Sequence, residues 1–166
     1  MFELTRFKEA QSDAGSGFNA AVLELRAGRK RGHWIWYIFP QLAGLGQSAM
    51  SVRYGLSGAA EATAYLNDPE LRARLLAVTE AVADRLADGA LVAQVMGSEI
   101  DAQKLVSSMT LFVNAAEHLL DTADPAAAAD LRALKSAGET ILTRAASQGM
   151  PPCPFTLAEL KRELSH

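Results

Sequence analysis

The residues best suited to chemistry lie in one short stretch, residues 29–48, where cations run into aromatic side chains. Arg29, Lys30, Arg31 and His33 place four potential donors to an anion within five residues. Such donors are typical of sites that recognise phosphate or carboxylate groups. Their position at the end of a predicted helix also fits a simpler role, in which solvated cations complement the helix macrodipole. Both interpretations remain open on the sequence alone.

The same stretch holds both tryptophans of the chain, Trp34 and Trp36. On a helix, side chains two residues apart point about 200° away from each other, so at most one indole can face the same cavity as His33. Each indole either packs in the core or forms a stacking wall for a base or another aromatic ring. Gln41 and Ser48, further along the stretch, complete the candidate ligand-binding residues on this side.

A second polar group falls near the start of a predicted helix, where Asp101, Lys104 and Ser108 share a ridge and Ser107 lies beside them. Asp101 is predicted either to cap that helix or to orient His33 as a general acid or base. His33, Asp101 and Lys104 are thus the candidate catalytic residues. A serine nucleophile is not expected, because lysine precedes the serines here and the Ser-x-x-Lys acyl-transfer order is absent.

Two motifs in these stretches carry a family resemblance. Residues 28–48 read Gly-Arg-Lys, then His-Trp-x-Trp-Tyr-Ile-Phe-Pro-Gln-Leu-x-Gly-Leu-Gly-x-Ser, and residues 104–112 read Lys-Leu-x-Ser-Ser-Met-Thr-Leu-Phe. Together they resemble an uncharacterised bacterial family, domain of unknown function 1810, sometimes labelled calpastatin-like. The resemblance covers most of residues 2–120 and implies a multihelical fold with no assigned activity. It marks Gly28, Lys30, His33, Trp34, Trp36, Phe39, Pro40, Gln41, Gly44, Gly46, Ser48, Lys104, Ser107 and Ser108.

The sequence departs from that family's pattern in two places. Gly32 replaces the small hydroxyl residue associated with the position before the histidine. Residues 125–166 do not follow the compact ending expected of the family. We therefore expect divergent C-terminal helices over 125–166, outside the inference that the resemblance supports.

Composition limits the class of protein. A chain of 166 residues, 49% hydrophobic and 21% charged, is expected to form a single globular domain over residues 1–166. A net charge of −3 argues against a general nucleic-acid binder and leaves room for one small anionic partner. The lone Cys153 fits a reducing cytoplasm. No signal peptide, membrane association or membrane span is expected, and the homo-oligomeric state stays open.

No metal site or cofactor is predicted. His33, His118 and His166 are far apart in sequence and lack the His-x-x-x-His spacing that places two ligands on one helix face. Cys153 stands alone, which excludes a cysteine-rich zinc site. Nucleotide-binding glycine motifs of the Walker and dinucleotide types are also absent from the sequence.

The elements that must position these residues all have helical periods, which predicts an all-α, irregular array of about seven to nine helices. The clearest apolar faces recur every three to four residues, at Leu71, Leu75, Val78, Val82 and Leu86, and at Leu105, Met109, Phe112, Ala116 and Leu119. Residues 33–38 are predicted as a short buried helix, although their composition favours a strand, because no partner strand is available. Gly138 is expected to interrupt a helix that starts at Asp124.

Helix starts are predicted from capping residues. The candidate N-caps are Ser16, Ser48, Asp68, Ser98, Asp124 and Thr156.

Three functions remain open at this stage. The first is binding of a small anionic or nucleotide-like metabolite between the segments 29–48 and 101–108. The second is a metal-independent hydrolase or transferase that uses His33 as acid or base. The third is a protein–protein interaction module with a tryptophan-rich surface.

Overall fold

The computed structural model describes residues 2–164, which form ten α-helices and no β-strand. This confirms the all-α prediction. Ten helices are one more than the upper end of the predicted range of about seven to nine. The helices are α1 (Thr5–Gln11), α2 (Phe18–Arg26), α3 (Ile35–Ile38), α4 (Ala49–Tyr54), α5 (Ala59–Asn67), α6 (Pro69–Ala87), α7 (Val92–Met96), α8 (Glu99–Leu119), α9 (Pro125–Ser147) and α10 (Pro154–Leu164).

Four of the predicted N-caps are confirmed. Ser48, Asp68, Ser98 and Asp124 each accept a hydrogen bond from a backbone N–H in the first turn that follows, at 2.9–3.1 Å. These bonds satisfy donors that a helix leaves unpaired at its start, which is why these helices begin where the sequence indicated.

Two predicted caps are wrong. The Ser16 hydroxyl donates to Asp13 Oδ2 at 2.9 Å, so it stabilises the preceding turn, and α2 starts after Gly17 instead. Thr156 lies inside α10, which already begins at Pro154.

Helix α8 is the centre of the fold, since it contacts α3, α5, α7, α9 and α10. Its predicted apolar face is buried, with Leu119 only half-buried at the end. Val106, Ser108, Thr110 and Leu111 are buried as well, because neighbouring helices cover several sides of α8. All five residues predicted to form the apolar face of α6 are also buried.

Gly138 does not interrupt its helix, because α9 runs without a break from Pro125 to Ser147. A Cβ atom on Gly138 would lie 2.6 Å from Val113 Cγ2 on α8. The glycine therefore permits close contact between α8 and α9, and the sequence-based expectation of a helix break is wrong at this position.

We expect Gly138→Ala to lower the free energy of unfolding by up to about 2 kcal/mol. Alanine gains roughly 1 kcal/mol of helix propensity, but overpacking against Val113 costs roughly 1–3 kcal/mol. Urea denaturation measures the change. In a Val113→Ala background the clash is removed, so the same substitution should become neutral or stabilising. An equal loss in both backgrounds would show that the contact with Val113 is not the cause.

Candidate functional site

The loop between α2 and α3 is fixed against the start of α8 by backbone contacts. The Lys30 N–H donates to the Val95 carbonyl at 2.7 Å. A Cβ atom on Gly97 would lie 2.8 Å from the Lys30 carbonyl oxygen, and Gly97 has φ +82°, a left-handed conformation. Only glycine allows both this conformation and this approach. Residues 29–34 are thereby held beside the N-terminus of α8.

The Lys30 and Asp101 side chains join the two segments that the sequence analysis singled out. Lys30 Nζ lies 2.8 Å from Asp101 Oδ2, and the Lys30 side chain is only 6% exposed. The ammonium also donates to the Gly32 carbonyl and lies 5.0 Å from the centroid of the Trp34 ring. Lys30 is therefore part of the packed interior and not a free cation.

Glu24 on α2 holds the loop from its other side. Its Oε1 accepts hydrogen bonds from the N–H groups of Arg31 at 2.7 Å and Gly32 at 2.8 Å, and from the Trp34 indole at 3.0 Å. Burial alone would raise the pKa of Glu24, but these hydrogen bonds outweigh it and hold the pKa below its usual range. Glu24 could not be predicted from the sequence, because its partners lie seven to ten residues further on and have no helical spacing from it.

Glu24→Ala should lower the free energy of unfolding by about 3 kcal/mol, because the Trp34 indole N–H loses its buried acceptor and two backbone donors lose theirs. Glu24→Gln keeps an acceptor and should cost less. Urea unfolding of the three proteins measures both effects.

The advantage of wild type over Glu24→Gln should also depend on pH. A carboxylate whose folded pKa is depressed stabilises the fold above its unfolded pKa, about 4.3, and loses that contribution as the pH falls through the folded value. The difference in unfolding free energy between wild type and Glu24→Gln should thus be largest near pH 7 and become smaller towards pH 3. A pH-independent difference would contradict a role for the charged form.

A cavity of about 250 Å³ lies between the segment 36–55 and α8, and we refer to it as the Trp36 cavity. Lys104 is the only formally charged residue among its described lining. Lys104 Nζ lies 5.0 Å from the centroid of the Trp36 ring and 4.0 Å from Asp101 Oδ1. The cavity is lined by Trp36, Gln41, Leu42, Leu45, Gly46, Ser51, Tyr54, Gly55, Ile100, Gln103, Lys104 and Ser107.

Polar groups in this lining keep hydrogen-bonding capacity. The Trp36 indole Nε1 is buried and has no hydrogen-bond partner within residues 2–164. Gln41 donates through Nε2 to the Phe39 carbonyl, so its side-chain oxygen is the group left to accept. Ser107 donates to the Gln103 carbonyl at 3.1 Å and is therefore satisfied by its own helix.

Four of the ten predicted ligand-binding residues line the Trp36 cavity: Trp36, Gln41, Lys104 and Ser107. Trp34 is fully buried, packs against Phe39 and donates its indole N–H to Glu24. The two tryptophans thus face different environments, as the angular argument requires. The Lys30 side chain supports the site from behind through Asp101.

The other predicted residues lie elsewhere. Arg29, His33 and Ser48 are exposed and belong to neither the Trp36 cavity nor the adjoining one described below. Ser108 is fully buried, and its hydroxyl has no partner among the described residues. Asp101 pairs with Lys30 and Lys104, and no hydrogen bond or ion pair of His33 occurs within residues 2–164. Among the described residues, no hydrogen bond or ion pair joins the predicted His33–Asp101 pair.

Several lining residues were not predicted. Ile100 and Gln103 could have been found, because positions 100, 103, 104 and 107 share one face of a helix. The contribution of α4 could not, because it depends on a backbone pairing between Leu42 and Leu56. Gly55 allows this pairing, since a Cβ atom there would lie 2.8 Å from Ala43 Cα. Leu42, Leu45, Ser51, Tyr54, Gly55, Ile100 and Gln103 are the residues that sequence reasoning missed.

Within residues 2–164, no group of three or more histidine, cysteine, aspartate or glutamate side chains is arranged to hold a metal ion. His166, considered in the sequence analysis, lies outside the described residues. None of the described helices combines the length and apolar character needed to cross a bilayer.

Fold and site together define an all-helical protein with a small cationic and aromatic cavity. The chain belongs to a family described as protein of unknown function (DUF1810), whose model matches residues 1–124. It is similar to a solved structure, the conserved hypothetical protein Rv1873 from Mycobacterium tuberculosis. The identity is 39%, over 96% of this chain and 97% of that one, with a TM-score of 0.72. A search of curated proteins found no match.

The two comparisons differ in extent. The family model ends before α9, whereas an alignment over 96% of the chain must include most of residues 125–166. The C-terminal helices are therefore shared with the Mycobacterium tuberculosis protein even though the family model does not reach them.

Proposed function

We propose that the Trp36 cavity binds a small anionic metabolite whose uncharged part packs against the Trp36 indole. The observation that carries this proposal is the presence of one cation, Lys104, in a lining that is otherwise neutral. Its carboxylate neighbour, Asp101, lies closer to Lys30 (2.8 Å) than to Lys104 (4.0 Å). Lys104 therefore gives the described lining of the Trp36 cavity its positive charge.

The remaining groups suit recognition of an anion that carries oxygen acceptors. A ligand oxygen that reached Trp36 Nε1 would satisfy a donor that no described residue uses. The Lys104 side chain is 30% exposed, so its ammonium can meet a ligand without a large loss of hydration. The cavity is smaller than the roughly 300–1,000 Å³ that drug-sized ligands occupy, which favours a small group such as a phosphorylated or carboxylated ring over a whole nucleotide.

Calorimetric titration with phenyl phosphate, inorganic phosphate and phenol tests the proposal. We expect phenyl phosphate to bind most tightly and phenol least, because only the first offers both charge and a ring. Lys104→Gln should weaken the binding of phenyl phosphate by at least about tenfold, which corresponds to roughly 1.4 kcal/mol of binding free energy. Quenching of tryptophan fluorescence should accompany binding and disappear in Trp36→Phe, because Trp34 is buried in the core.

Lys135→Gln is the matched control. Lys135 is exposed to a similar extent as Lys104, 33% against 30%, and is likewise near a carboxylate, but lies on α9 outside the cavity. It should leave affinity unchanged. The proposal fails if no anion binds, or if both lysine variants weaken binding equally.

Asp101 and Lys30 should affect anion affinity in opposite directions, although neither lines the cavity. Asp101→Asn removes the negative charge nearest Lys104 and should tighten phenyl phosphate binding by roughly fivefold, about 1 kcal/mol. Lys30→Met frees Asp101 to pair with Lys104 and should weaken binding. Titration at low and high salt checks this, since the differences should shrink as salt screens the charges. Changes of the same sign in both variants would contradict it.

The rest of the biochemical setting belongs to the same proposal. The chain acts as one domain in the bacterial cytoplasm, where a lone, reduced cysteine is ordinary. The small-metabolite role is supported better than catalysis by His33, since that side chain is exposed and lies outside the cavity lining.

A further inference from the structure

We infer that the ligand is amphiphilic: an anionic head group in the Trp36 cavity with an uncharged, apolar extension in a second cavity beside it. This inference rests on the proposed function and names the class of ligand. The second cavity, here the Met150 cavity, has a volume of about 280 Å³ and lies between α8 and the segment 149–154.

The two cavities adjoin each other. Leu45, Gln103 and Ser107 line both of them, so a ligand can extend from one into the other past these side chains. The Ser107 hydroxyl is turned to the Gln103 carbonyl of its own helix, 3.1 Å away. An apolar chain that passes Ser107 therefore leaves that hydroxyl paired, which avoids one cost of burying such a chain here.

The lining of the Met150 cavity is suited to hydrocarbon. Among its described lining no residue is an aspartate, glutamate, lysine, arginine or histidine. Val106, Met150 and Pro151 supply apolar surface, and methionine adapts its shape to irregular groups. Among the described residues that line the two cavities, Lys104 in the Trp36 cavity is the only cation, so the charge and the apolar part of a ligand are separated in space.

Exposed apolar side chains extend the apolar lining of the two cavities to the protein surface. Ile100, in the lining of the Trp36 cavity, is 69% exposed, and Leu45, shared by both cavities, is 37% exposed. Phe155 is also exposed and approaches the loop of Leu45 closely, since a Cβ atom on Gly44 would lie 3.1 Å from its ring. The segment that closes the second cavity lies beyond the residues matched by the family model, which end at 124.

The test is titration with a homologous series of methyl, butyl and hexyl phosphate. Each buried methylene should improve the dissociation constant about fourfold until the chain fills the Met150 cavity, after which affinity levels off. A second measurement locates the chain. Cys153 is the only cysteine and lines the Met150 cavity, so hexyl phosphate should slow its labelling by a small maleimide, whereas methyl phosphate should not.

A filling variant and its control complete the design. Met150→Trp, at a half-buried position, should abolish the dependence on chain length. Leu142→Trp, half-buried on α9 and outside both linings, should leave that dependence and methyl phosphate binding unchanged.

The outcomes separate the two proposals. The amphiphile inference is overturned if methyl phosphate binds but longer chains bind no more tightly. It is also overturned if longer chains bind more tightly without slowing the labelling of Cys153. In both cases the proposed anion site remains supported. Failure of every phosphate to bind overturns both. The inference is supported if longer chains bind more tightly, if they also slow the labelling of Cys153, and if the gain in affinity is lost in Met150→Trp.

Discussion

The ion pair between Lys30 and Asp101 is the interaction on which the candidate site depends. It joins the loop after α2 to the first turn of α8, and it works only because Gly97 lets the two backbones meet. Burying a lysine costs free energy unless its charge is paired, so this contact fixes the loop and the helix relative to each other. Asp101 lies closer to Lys30 (2.8 Å) than to Lys104 (4.0 Å), and Lys104 is the charged residue in the described lining of the Trp36 cavity.

Much of the dense cationic and aromatic stretch therefore supports the site without lining it. Glu24 gathers three donors of the loop, Trp34 fills the core, and Lys30 positions Asp101. These roles explain why so many unusual residues occur together. A tight loop pairs few of its backbone N–H and C=O groups with each other, so side chains must provide the hydrogen-bond partners. Trp36, at the edge of this supporting group, is the tryptophan that lines the cavity, together with Tyr54 of α4.

The sequence-based predictions agree with the lining of the Trp36 cavity at some residues and differ from it at others. Lys104, Ser107, Trp36 and Gln41 were predicted and line the cavity, whereas His33, Arg29 and Ser48 were predicted and are exposed elsewhere. Residue type and proximity in sequence cannot distinguish these groups, since side-chain direction in a loop has no fixed period. The helical part of the site was more predictable, because positions 100, 103, 104 and 107 follow from helix geometry alone.

The sequence by itself determined the helical class, four of the helix starts and the apolar faces of α6 and α8. These depend on interactions between residues at most four apart, which a local pattern records. The tertiary structure alone decided that Lys30 would be buried, that α4 would line the cavity and that residues 149–154 would form a second one. Each of these depends on contacts between segments tens of residues apart, where the close approach of backbones at Gly55 and Gly97 selects which side chains meet.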